Sequence, residues 1–230
     1  MIRMFFAISV SMFSLSIFAE SDSQCFGDVN NGSLKNGWQL PSGGQNFRAY
    51  SSIGVLAGRN FVHSKAYQIV LDAYATLQKT NPKITYIYGE TGFKDGGLFK
   101  PHKSHRNGLS VDFFVPVVDS TGAPAELDIG IRNKLGYNLE FDSSGRLGGL
   151  RIDFESIAKH LDALLVAAGD RQSDIQVVIF DPVFQSFLMA TPTGARIKGK
   201  IKFSKQKPWV RHDEHYHVNF SVPCSTLPRR

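Results

Sequence analysis

The chain has 230 residues, of which 42% are hydrophobic, 12% aromatic and 20% charged, and its formal net charge is +6. A chain of this size has room for a real core, and the absence of repeats and low-complexity segments leaves one packed domain rather than an array or a tail. The mild basic excess suits any anionic polymer and does not choose among cell wall, nucleic acid and lipid head groups.

The N-terminus reads as a secretory signal. Arg3 gives a positive start, Met4 to Ala19 carry no charge, and Ile17-Phe18-Ala19 ends on a small residue just before Glu20 and Asp22. That uncharged run is shorter than the roughly 20 residues needed to span a bilayer. Cleavage after Ala19 is therefore expected, leaving residues 20–230 as one exported, periplasmic domain without an integral membrane segment. Export also argues against a nucleic-acid partner.

Ser64 is placed to cap a helix over residues 64–79, with Ala66, Ile69, Val70, Ala73 and Leu77 on one face and Asn81-Pro82 ending it. A strand over 84–88 follows. Residues 89–101, rich in glycine, read as a loop that delivers His102 and His105. Residues 111–118 read as a strand with Val111, Phe113, Val115 and Val117 on one face, so Asp112 points to the other. Pro116, lacking an amide donor, favours an edge or an irregular end there.

Residues 119–149 have weak periodicity and many turn residues and are read as an irregular insertion. A second helix is expected over 154–168 with Gly169 as its stop and His160 as a core or boundary histidine. Strands over 175–180 and 215–222 complete the set. The basic run Arg196, Lys198, Lys200, Lys202, Lys205 and Lys207 alternates with Ile197, Ile201 and Phe203 and is read as a solvated edge hairpin. This order fits an α+β fold: a single domain, mostly antiparallel sheet with helices packed on one side.

Cys25 and Cys224 are the only cysteines. In an exported protein an isolated pair is most simply a disulfide, here tying the two ends of the domain together.

Five of the seven histidines fall in two stretches, His102-Lys-Ser-His105-Arg-Asn-Gly108-Leu-Ser-Val-Asp112 and His212-Asp-Glu-His215-Tyr-His217. On a strand, His215 and His217 point to the same face, with Asn219 and Ser221, while Tyr216, Val218, Phe220 and Val222 form the apolar face. Imidazole and carboxylate are the usual nitrogen and oxygen ligands of zinc, and three protein ligands with an open fourth position mark a catalytic ion. His105, Asp112 and His217 make that set around one zinc ion.

The pattern Ser104-His105-x-x-Gly108-x-x-x-Asp112 followed by His215-x-His217 resembles the signature of the zinc peptidase group that includes lysostaphin, the D-Ala-D-Ala peptidases and the sonic hedgehog domain. More specifically it resembles the penicillin-insensitive murein endopeptidase family, whose additional histidines three residues before each motif are matched by His102 and His212. Leu40-Pro41 with Gly43-Gly44, the helix after His63, Phe180-Asp181-Pro182 and Pro208-Trp209 extend the likeness over most of the chain. The resemblance implies a hedgehog/DD-peptidase-like fold with the zinc site in a surface cleft. It also implies hydrolysis of peptidoglycan cross-bridges by metal-activated water, without sensitivity to β-lactams. The alternatives are a zinc D,D- or L,D-carboxypeptidase trimming stem peptides and a non-catalytic wall-binding domain. D,D and L,D bond specificity stay open, and a monomer is the default.

His215 is the expected general base, since it shares a face with ligand His217 and has a pKa near the working range. Glu214 is the second candidate, because dipeptidases of the wider group use a carboxylate three residues before the last ligand. Strand parity turns it away from the site unless the strand begins irregularly. His212 and His102 are candidates for oxyanion or substrate contact or for supporting a ligand, and Trp209 for lining the cleft or packing in the core. Ser156-Ile-Ala-Lys159 matches the S-x-x-K of penicillin-binding enzymes, but S-D-N and K-T-G are missing, and Ser156 is expected on the solvent side of its helix.

Overall fold

The computed structural model describes residues 22–205 and 212–228. The expected leader and Trp209 lie outside the described residues. The first elements are short: β1 (Gln24–Gly27), β2 (Gly32–Lys35), β3 (Trp38–Gln39), β4 (Phe47–Ala49), α1 (Ser52–Leu56) and β5 (Phe61–Val62). Each is too brief to carry a periodic signal, so none is anticipated from the sequence. β1 and β2 form an antiparallel hairpin, and β3 pairs with β5.

α2 (Ser64–Thr80) begins one residue away from the expected cap. His63 is the N-cap, its Nδ1 accepting from Lys65 N at 3.1 Å, while Ser64 is buried with its hydroxyl oxygen accepting from Ser23 N. After β6 (Tyr86–Tyr88), the expected strand over 111–118 is broken into β7 (Ser110–Phe114) and β8 (Val117–Val118). Pro116 lies at the break, where the chain leaves one sheet for another. The insertion is more ordered than its sequence suggests. β9 (Pro124–Ala125), β10 (Arg146–Leu147) and β11 (Leu150–Ile152) join β8 in a four-stranded sheet of order β10-β11-β8-β9.

α3 (Phe154–Asp170) starts on Asp153, whose carboxylate accepts from Ser156 N, and runs through Gly169 instead of stopping there. Ser156 is not solvent-facing. It is 3% exposed and donates its hydroxyl to Asp153 Oδ2 at 2.6 Å, because the first turn of α3 is tucked against the core. Beyond β12 (Asp174–Ile179) come α4 (Pro182–Ala190) and α5 (Pro192–Ile197). The expected basic hairpin is therefore a helix for its first residues: Thr191 caps Gly194 N, Pro192 fits the first turn, and Ile197 is fully buried. Phe203 then bridges in parallel to Val178 on β12.

β13 (His215–Ser221) completes a five-stranded sheet of order β12-β13-β7-β6-β4, antiparallel except for the β4–β6 pair. The fold is thus single-domain α+β with mostly antiparallel sheets. Alternation along the two central strands divides its faces. Phe113 and Tyr216 point toward the helices, where His160 of α3 packs edge-on to Phe113 and Tyr74 of α2 stacks on His160. His160 is a core histidine, its Nδ1 paired with the Tyr216 hydroxyl. The opposite face carries three consecutive cross-strand pairs: Asn219 with Ser110, His217 with Asp112, and His215 with Phe114. Among the described residues no helix is long and apolar enough to cross a membrane.

Candidate metal centre

The middle pair of that face is the centre of a buried, donor-rich cluster. Asp112 is fully buried, with Oδ1 2.8 Å from His217 Nδ1 and 3.3 Å from His105 Nε2. His105 reaches the strand face from the loop before β7, in a left-handed conformation (φ 66°). That loop is held from outside: Arg106 N donates to Val29 O, Gly97 N to Arg106 O, and Leu34 N to Asp95 O. Cys25 and Cys224 form the expected disulfide, which joins the β1–β2 hairpin to the chain just past β13.

The hydrogen-bond partners fix which atoms face inward. His105 Nδ1 lies 3.0 Å from Thr91 O, a carbonyl that only accepts, so the ring's proton is there and Nε2 carries a lone pair. Nε2 is buried without a hydrogen-bond partner among the described residues. His217 Nε2 lies 2.7 Å from Asn219 Oδ1, which also accepts from the Ser110 hydroxyl at 2.6 Å. Both neighbours of His217 accept, so a neutral ring donates to only one of them: with Nε2–H on Asn219, Nδ1 offers its lone pair beside Asp112 Oδ1, which is the tautomer a bound cation selects. Two imidazole lone pairs and a carboxylate oxygen then converge in a dry place, an arrangement that a divalent cation satisfies and that is costly without one.

Burial holds the pKa of His105 below its ordinary value, favouring the neutral ligand form. Burial alone would raise the pKa of Asp112, but the surrounding His105 and His215 rings hold it well below the carboxylate range. Two donor triads overlap here. His102, His105 and Asp112 each place one ligand atom within 4.8 Å of the others, and His217 brings its Nδ1 to the same Asp112 oxygen that His105 approaches. His102 differs from the other two histidines in that its Nε2 is held 2.5 Å from Glu90 Oε2, a carboxylate that raises its pKa against the lowering effect of burial.

Glu90 belongs to a second cluster that the sequence reading missed. Burial opposes its charge, yet bonds from His102 and Arg59 pull its pKa down to about 2. Tyr50 also donates to Glu90 Oε1 at 2.9 Å. Arg59 is occupied: it pairs with Glu90, donates to Lys100 O at 3.0 Å and lies over the Phe99 ring. Nothing in the local sequence marks Arg59 or Glu90, which are brought together only by β6 leaving the sheet beside β5.

β13 begins at His215, so Glu214 sits in the bend before it and escapes strand parity. Its Oε1 lies 3.0 Å from His215 Nδ1, and His215 Nε2 is 4.0 Å from Asp112 Oδ2. Burial lowers the His215 pKa to about 4, leaving the ring neutral. His212 is partly exposed with its ring 4.5 Å from that of His215. Asp213 ties this corner to the insertion by accepting from Phe141 N at 2.8 Å. The structure thus gathers His102, His105, Asp112, His212, Glu214, His215 and His217 in one place.

The sequence profile of the penicillin-insensitive murein endopeptidases matches residues 25–227. No curated protein sequence gives a significant match.

Proposed function

Because the chain belongs to the penicillin-insensitive murein endopeptidase family, we propose that this murein-directed enzyme is a zinc-dependent endopeptidase that cuts peptide cross-bridges of peptidoglycan in the periplasm, after export by the leader at residues 1–19. The ligands are His105 through Nε2, Asp112 through Oδ1 and His217 through Nδ1. The observation that carries this reading is the buried His105 Nε2, which has no hydrogen-bond partner among the described residues and lies 3.3 Å from a carboxylate oxygen. When bound, a zinc ion supplies an activated water with a pKa near 7 and polarises the scissile carbonyl.

The chain's own groups do the rest. His215 accepts the proton of the attacking water and returns it to the leaving amine. Glu214 holds the Nδ1–H of that ring, so the basic Nε2 faces the reacting groups. His102, braced by Glu90, is the donor placed for the developing oxyanion. The partly exposed His212 meets substrate beside His215. Cleavage of cross-bridges is preferred over trimming of terminal residues on the family match; a free carboxylate needs a charged partner, and Arg59 beside the site is already committed to Glu90 and Lys100 O. Insensitivity to β-lactams is expected because the nucleophile is a water and not an acylatable serine, and Ser156 of the S-x-x-K match is buried and bonded to Asp153.

The test is mass spectrometry of products from intact and pre-fragmented peptidoglycan, with and without chelator and zinc add-back. Conversion of cross-linked dimers to monomers, lost on chelation, is expected, and the new termini name the bond. Loss of terminal alanine without loss of dimers would assign a carboxypeptidase. Zinc binding with neither change would leave a wall-binding domain.

A further inference from the structure

We infer that Tyr137, carried by the insertion between β9 and β10, is a positioning residue that fixes how Asp112 presents itself to the metal. This rests on the metal reading above. The Tyr137 hydroxyl oxygen accepts from Glu90 N at 2.9 Å, and its single proton is directed at Asp112 Oδ2, 3.1 Å away. A phenol has one proton to give, and the Glu90 amide can only donate, so the direction of both bonds is set. With Oδ2 occupied, Oδ1 is the oxygen left toward His105 and His217, and the carboxylate is held for one-atom ligation. The ring also packs edge-on at 5.1 Å from His215 and 5.9 Å from His102, walling the groups that would do the chemistry.

Two further features of the chain are accounted for by this role. Gly89 has an ordinary negative-φ backbone, so its lack of a side chain concerns space. A Cβ there would lie 2.5 Å from the Tyr137 hydroxyl and 3.0 Å from Asp112 Cβ. The glycine leaves the room through which Tyr137 reaches Asp112. The turn that delivers Tyr137 is strained: Lys134 and Leu135 are both left-handed, at φ 52° and 59°. Such strain persists only where its surroundings enforce it. Asn133 is the enforcing group, its Oδ1 accepting from Gly130 N at 3.0 Å and Gly136 N at 2.9 Å while its amide donates to Asp128 O. Gly136 allows the turn to lie directly on Phe114, where a Cβ would stand 2.6 Å from the ring.

The experiment compares wild type, Tyr137→Phe, Gly89→Ala and the double variant. Readouts are zinc affinity by chelator competition, the visible spectrum of the cobalt-substituted protein, and the melting temperature of the metal-free protein. Each single variant should weaken zinc binding by about 10- to 100-fold, as loss of a ligand's outer partner typically does. Each should alter the cobalt spectrum, and the double variant should be no weaker than the worse single, since both remove one bond. Unchanged affinity and spectrum in Tyr137→Phe, or fully additive losses in the double variant, would overturn the inference. If Tyr137→Phe does not fold, Asn133→Ala, which releases the turn that delivers Tyr137 without touching Asp112, decides by the same two readouts. Failure of the wild type to bind zinc would overturn the metal reading as well, so the two failures are distinguishable.

Discussion

Asp112 and His217 are direct partners across β7 and β13, and their side chains meet at 2.8 Å between Oδ1 and Nδ1. The next pair along, Ser110 and Asn219, is bonded at 2.6 Å and reaches His217 from its other nitrogen. The proposed ligand and the amide that holds its other nitrogen thus lie on one strand face, two residues apart. Asn219→Ala is expected to keep the fold and lower zinc affinity by about 10- to 100-fold, whereas His217→Ala should abolish both zinc-dependent activity and tight binding. Calorimetric titration with zinc and a dimer-cleavage assay check this. An Asn219→Ala protein binding zinc as tightly as wild type contradicts it.

Acid should destabilise the protein through His160, on the opposite face of the sheet from the candidate metal centre. Burial lowers its pKa to about 3, against about 6.5 in an unfolded chain. In this window the unfolded state takes up a proton that the folded state refuses, so the histidine's contribution is full above about pH 6.5 and is lost as pH falls toward 3. The slope is up to about 1.4 kcal/mol per pH unit. Denaturant titrations of wild type and His160→Phe between pH 4 and 8 isolate this group, because protonations common to both cancel. The stability of wild type relative to the variant should fall with falling pH. A pH-independent difference would show that His160 is not buried neutral.

The sequence makes the two long helices and the central strands legible because each has enough length for its period to show. α2 buries the apolar stripe read from Ala66, Ile69 and Val70, and α3 buries Ile157, Leu161 and Leu164 at the same helical spacing. The histidines converge because residue parity survives in β13. What stays hidden acts over long distances or over few residues. Glu90, Arg59 and Tyr137 come from three separate loops and carry no spacing signal, and β1 to β5 are two to four residues long. For Glu214 the condition set by parity is the one that matters: the strand starts one residue after it, and parity says nothing about a bend.

The disulfide should support both stability and metal binding. Cys25 and Cys224 are 199 residues apart, and the chain-entropy model gives about 5 kcal/mol for closing so long a loop, an upper figure for real bonds. The bond also secures the β1–β2 hairpin, whose Val29 and Leu34 backbones hold the loop bearing His105. The Cys25→Ser, Cys224→Ser double variant is expected to melt at a lower temperature and, while still folded, to hold zinc more weakly. Thermal melts with chelator competition below the transition separate the effects. Lower stability with unchanged affinity would mean that the hairpin keeps the loop in place unaided.

The glycine inside the first histidine motif has a mechanical explanation that also gives a sharp test. Gly108 has φ +77°, and a Cβ on it would stand 2.6 Å from Leu34 Cδ2 and 2.7 Å from His63 N. The leucine end can shift, but His63 N belongs to the cap of α2 and already donates to Gly108 O at 2.8 Å. Gly108→Ala therefore adds left-handed strain of about 1–3 kcal/mol to a clash with backbone. Relief requires the segment from His105 to Gly108 to move away from α2, which carries His105 Nε2 off Asp112. The variant should lose stability and zinc affinity together, read by denaturant unfolding without metal and by chelator competition. Gly97→Ala serves as the comparison, since its φ of +81° carries the same kind of strain while nothing lies within 4 Å of its Cβ. It should cost stability through strain alone and leave zinc affinity unchanged. Equal losses of affinity in both variants would place the effect in general loop strain and not in the contact between Gly108 and His63.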